Sequence, residues 1–298
     1  RIAAELGITD LYQSVKDGTW THSKMKEYAR IATKDIDGVA GMSRTDQWGV
    51  SCVDPIGSTS MMIFSSYGVD MLSGDGQGGL IYNMNSAPVI NALTEMQKWI
   101  INDKTFFKLT QGEDQLDAYR LFQAGKALFC PFAIGYSANL SSSDMSDSWG
   151  ILPFPKPDGA EDYNHFCSAS VKAICVPSNI EGKELSDVGY FLDSMAFHFT
   201  DEMAKVESES YERIYPDEED REMLTVIRDT AGIDFASLVL NNDLSNTTNG
   251  CIHRLAGDGS LSAVADISSM ESAAQVALAA VLDAIPGKSE VANTDTAE

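Results

Sequence analysis

One stretch of this 298-residue chain restricts its fold more than any other. It begins at Tyr119 and runs past Asp158, reading YRLFQAGKALFCPFAIGYSANL, a polar gap, then WGILPFPKPDG. A helical pattern over about 113–124 stops at Gly125, which supplies the left-handed position that ends helices. The apolar run Ala127–Phe132 then predicts a strand. Trp149–Phe154 predicts a second one, closed by Pro153, Pro155 and Pro157 and a Pro-Asp-Gly turn. Phe132 and Tyr136 lie on the connection between them. This is the layout of one wall of a ligand cleft, with aromatic rings carried between rigid elements. No nucleophile, metal cluster or phosphate loop accompanies it, so the stretch points to holding a molecule rather than transforming it.

The rest of the chain alternates helices with short strands, which predicts an α/β architecture. Residues 1–34 read as two helices broken at Asp17-Gly18, the second capped by Thr21. Gln47–Val53 is strand-like. Residues 57–72 form a Met-rich helix whose Met61, Phe64 and Met71 face a core. The helix over 86–102 has Ser86 as cap, Pro88 in its first turn, and Val89, Leu93, Met96 and Ile100 at helical spacing. Ser170–Val176 predicts a strand ended by Pro177. An amphipathic helix follows, with Val188, Leu192, Met195 and Phe199 on one face. Residues 216–229 make an acidic helix. Ser268 and Glu271 match a capping box for the last helix, which runs to about Ile285, and 287–298 read as a polar tail.

Apolar residues make up 44% of the chain, enough for a sizeable core. The net charge of −23 argues against nucleic acid and against anionic membrane surfaces, both of which call for clustered cations. No apolar run approaches a membrane-spanning length. The five cysteines are odd in number, widely spaced and without CxxC pairs, which argues against zinc and against a disulfide framework. The chain opens at Arg1 inside a helix-like pattern, so an upstream portion with any targeting segment is expected.

Several motifs have ordinary explanations. Gly74, Gly76 and Gly79 satisfy GxGxxG, but the loop leads into Leu80-Ile81-Tyr82, as in a hairpin and not at a helix start. Asp35, Asp37 and Asp46 loosely match a calcium loop that lacks its glycine and closing glutamate, so no metal is assigned. Of four histidines, His198 is read as core, and only His165, beside Tyr163 and Phe166, is placed near the cleft. Asp54 precedes Pro55 at a strand end. It suits either a polyol's hydroxyls or the entry of the following helix.

Thr19-Trp20-Thr21, TKDIDG, DQWGV, FQAGKALF, WGILPFPKPDG and SVKAICVPSN occur in the order found in extracellular solute-binding proteins of ABC importers. The chain resembles most the carbohydrate-binding branch that includes maltose-binding protein. The resemblance implies a periplasmic-binding-protein-like fold of two α/β lobes, with the N-terminal part of the first lobe missing. Residues 1–168 would be the second lobe, carrying the cleft wall. Residues 169–245 would return to the first lobe, 246–286 would be helices packing on the second, and 287–298 a disordered tail. The returning helix would then show an exposed apolar surface. The resemblance also implies a monomer without cofactor that binds a mono- or oligosaccharide and delivers it to permease subunits. Its place would be extracellular and lipid-anchored, or periplasmic. Tyr136, Phe132, Asp54 and His165 are the expected ligand-binding residues. A secreted glycoside hydrolase, which needs two converging carboxylates, and a surface interaction protein are the alternatives.

Overall fold

The structure is a computed structural model. It describes residues 1–284 except 53, 78, 109–113, 115, 142, 144, 168–173, 233–235 and 237–241.

Its centre is a small parallel sheet of three strands in the order β4 (Phe106–Lys108), β1 (Trp48–Cys52), β5 (Ala127–Phe129). Val50 pairs with Phe106 on one side and Phe129 on the other, and all five β1 residues are buried. Helix α3 (His22–Ala32) crosses this sheet so closely that a Cβ at Gly49 would lie 2.3 Å from the Ala29 carbonyl oxygen. Helices α1 (Ile2–Glu5) and α2 (Leu11–Lys16) precede it. The chain turns at Gly18, whose φ is +67°. Thr21 caps α3 as expected, accepting the Lys24 amide.

After β1, a single wide turn over Pro55–Thr59 leads into α4 (Ser60–Ser65). Met61, Phe64 and Met71 are buried as expected, but the helix predicted over 57–72 ends at Ser65. Gly68, at φ +64° and against the Asn164 side chain, turns the chain away. Strands β2 (Leu72–Gly74) and β3 (Leu80–Tyr82) form the antiparallel hairpin predicted for the glycine-rich loop, and Asp75 accepts two of that loop's amides. Helix α5 (Ala87–Asn102) buries Val89, Leu93, Met96 and Ile100, although the Ser86 side chain makes no cap bond. Helix α6 (Leu116–Gln123) ends at Gly125, φ +68°, where the sequence placed the stop.

Trp149–Phe154 is a correction. The segment joins no strand ladder, and side chains take two of its amides. The Ile151 amide donates to Asp220 Oδ1 at 2.9 Å and the Phe154 amide to His165 Nε2 at 2.9 Å. The Ser170–Val176 strand falls largely outside the described residues, and Ile174–Val176 lie in no strand. The last helix is Ala263–Asp283, so Ser268 sits inside it and caps nothing. It packs with Asn242–Thr247 and Asn249–Gly257 to close the main core.

Helix α8 (Gly182–Ile214) departs from the rest. It runs 33 residues, none of its described side chains is fully buried, and Tyr190 is 78%, Phe191 61% and Phe197 81% exposed. The expected exposed apolar surface is present. His198, read as core, is exposed on this helix. The acidic helix α9 (Glu218–Asp229) follows, with Met223 and Leu224 buried.

Candidate functional site

In open α/β sheets, ligands gather beyond the carboxyl ends of the strands. Strands β1 and β5 are parallel neighbours, so the connections after them leave from one edge. Asp54 lies two residues past β1 and Phe132 three residues past β5.

Beyond β5 a short turn over Ile134–Tyr136 leads into α7 (Ser137–Ser141). The turn brings three rings together. Phe132 and Tyr136 have centroids 4.1 Å apart, Tyr119 and Phe132 5.2 Å, and Tyr119 and Tyr136 6.3 Å. Tyr119 is buried on α6 and donates its hydroxyl to the Tyr136 carbonyl at 3.2 Å. Burial raises the Tyr119 hydroxyl above its usual pKa, so it stays a donor at neutral pH. Phe132 is half-buried and Tyr136 is 40% exposed. Trp48, Phe107, Ala118, Tyr119 and Leu121 form a separate small core, and Phe132 packs on it. The rings are therefore held from below and offered from above. Ser137 and Ser141 tie the platform to the end of α8: the Ser137 hydroxyl bonds the Tyr215 hydroxyl, and Ser141 Oγ donates to the Ile214 carbonyl at 3.0 Å.

Asp54 stands in the left-handed region at φ 46° and caps the wide turn. Its Oδ1 accepts the Gly57 amide and its Oδ2 the Ser58 amide, each at 3.0 Å. Of the two roles the sequence allowed it, the structure displays the turn-entry role.

His165 is in β6 (His165–Phe166), which pairs in parallel with β7 (Ala231–Gly232) in a separate small sheet. Its Nε2 accepts the Phe154 amide, so Nδ1 carries the proton, which faces Thr230 Oγ1 at 2.7 Å. Burial pushes its pKa down to about 4, so the ring is neutral at physiological pH. Both nitrogens hold the protein together, and the structure does not bring His165 into the aromatic cluster.

Sequence reasoning missed Tyr119, the buried member of the platform. Its pattern on α6 reads simply as an inward-facing residue. It also missed Ile56 and Ile134, exposed on the turns after β1 and β5. A recess of about 180 Å³, lined by Leu11, Tyr12, Phe122, Leu128, Trp149 and Leu152 among others, lies beside β5 and includes none of the platform rings. Asp35, Asp37 and Asp46 do converge, with carboxylate oxygens within 4.8 Å of one another. They close their own loop: Asp46 accepts the Ile36, Asp37 and Ser43 amides, and Asp37 accepts the Val39 amide.

The sequence matches no protein-family model and none of the curated proteins. Two solved structures are similar to the fold. One is a maltose/maltodextrin-binding domain from Bdellovibrio bacteriovorus bound to maltotriose (TM-score 0.57, 14% identity, 86% of this chain and 66% of that one). The other is a cyclo/maltodextrin-binding protein complexed with maltotetraose (TM-score 0.54, 14% identity, 86% and 64%). The chain has their fold. It is periplasmic-binding-protein-like, and the chain spans just under two thirds of the length of either neighbour. No helix among the described residues is long and apolar enough to cross a membrane.

Proposed function

We propose that this chain binds a carbohydrate, a mono- or oligosaccharide, and serves as the extracellular solute-binding component of an ABC importer. The observation that carries this reading is the Tyr119–Phe132–Tyr136 platform at the carboxyl edge of the parallel sheet. Pyranose rings present C–H faces that stack on aromatic side chains, while their hydroxyls need planar polar partners. The solved neighbours of the same fold were captured with maltotriose and maltotetraose, which sets the first ligands to try.

On this reading residues 1–168 form the second lobe and 169–245 return to the first, with 246–286 packing back on the second. The exposed apolar face of α8 then belongs against the other lobe, because an apolar stripe on an amphipathic helix is normally the buried one. Phe132 and Tyr136 stack the sugar and Asp54 shapes the turn beside them. No chemical step follows binding; the protein acts as a monomer, without a cofactor, and hands the solute to permease subunits from outside the membrane.

Isothermal titration with maltotriose, maltotetraose and a panel of monosaccharides tests the reading. Saturable heat with at least one neutral sugar supports it. Silence across the panel, with binding of a charged or peptidic solute, would replace it.

A further inference from the structure

Asp54 is the only non-glycine residue with positive φ among the described residues. The left-handed region costs a side-chain-bearing residue free energy, and such strain persists only where its surroundings impose it. Here the imposing bonds are those from the Gly57 and Ser58 amides to the two carboxylate oxygens, with Ser58 Oγ a further donor at 3.5 Å. They fold Pro55–Thr59 into one π turn, a rare shape concentrated at functional sites. The glycine is matched to the cap: a Cβ at Gly57 would lie 2.1 Å from Asp54 Oδ2. The turn leaves β1 at the same sheet edge as the Phe132–Tyr136 connection and presents Ile56, 46% exposed. Behind it stands the helix Asn249–Gly257, where a Cβ at Gly257 would meet Ile56 Cδ1 at 3.8 Å.

We propose that Asp54 is a positioning residue of the binding site, and this rests on the carbohydrate-binding reading. Both of its oxygens already hold the turn. It acts on the solute through that turn, by fixing where the Ile56 edge stands relative to the aromatic platform. A direct ligand would act alone, whereas a positioning residue acts together with Gly57.

A double-mutant cycle on the full chain separates the two, with maltotriose as the probe and circular dichroism to confirm that each variant is folded. Asp54→Ala deletes the cap, and Gly57→Ala breaks the same cap while leaving the carboxylate in place. Each is expected to weaken maltotriose about fivefold, because a turn without its cap must be ordered again on binding at about the free energy the cap supplied. The double variant is expected to be no weaker than either single one, because both remove one device. Asp54→Asn, which tolerates the left-handed backbone and keeps one acceptor, is expected to recover most of the affinity. Losses that multiply in the double variant, or a Gly57→Ala protein that binds normally, overturn the positioning role alone. A wild-type chain that ignores maltotriose and every other neutral sugar overturns the binding reading and this inference with it.

Discussion

Tyr136 offers the most accessible ring of the platform, and its partners hold it without depending on it for the core. Tyr136→Ala is expected to weaken sugar binding by about tenfold or more, roughly 1.4 kcal/mol, with little change in melting temperature. Titration beside a thermal melt checks both halves. The histidines set a second expectation. The unfolded imidazole titrates near 6.5, whereas burial lowers folded His165 to about 4. His22 falls to about 3, chiefly by burial and then by Lys26, with Asp158 opposing. Between those values and 6.5 the unfolded chain binds more protons. Stability is therefore full above pH 6.5 and declines as pH falls towards 4, by roughly 3 kcal/mol for each histidine. Urea unfolding at pH 7.5 and 4.5 should show the drop, and His165→Asn should remove its own share. The place of Phe132 and Tyr136 on the connection after β5 was legible because Gly125 and the apolar run Ala127–Phe129 mark the helix end and the strand locally. His165 was not: Phe154 and Thr230, which hold its ring, lie 11 and 65 residues away.

At the scale of elements, local signals succeeded where the chain satisfies itself and failed where distant side chains intervene. Thr21 and Gly125 bound their helices as their chemistry requires. Trp149–Phe154 has the composition of a strand, yet Asp220 and His165 take the amides that a neighbouring strand would have taken. Trp20, 1% exposed and donating its indole N–H to the Pro153 carbonyl at 2.9 Å, pins that segment to the core. Trp20→Ala should cost about 3–5 kcal/mol in chemical denaturation, through the cavity and the orphaned carbonyl. Helix α8 makes the opposite case, because its large apolar side chains Tyr190, Phe191, Phe197 and Phe199 are more than half exposed. The chain should bind a hydrophobic dye such as ANS strongly in its native state. Replacing Tyr190, Phe191 and Phe197 with serine should reduce that signal by more than half without lowering the melting temperature.

For the whole molecule, the sheet edge, the aromatic platform and the exposed helix form one account. The fold is shared with maltodextrin-binding proteins over most of this chain, while identity of 14% leaves the ligand to be decided by this chain's own side chains. The net charge of −23 favours a neutral solute over an anionic one. The most direct test is saturation-transfer NMR of maltotriose with the wild-type chain and with Phe132→Ala and Tyr136→Ala. Transfer to the sugar C–H protons in the wild type, and its loss in both variants, is the predicted result. Equal transfer in all three proteins would place the sugar elsewhere and contradict the account.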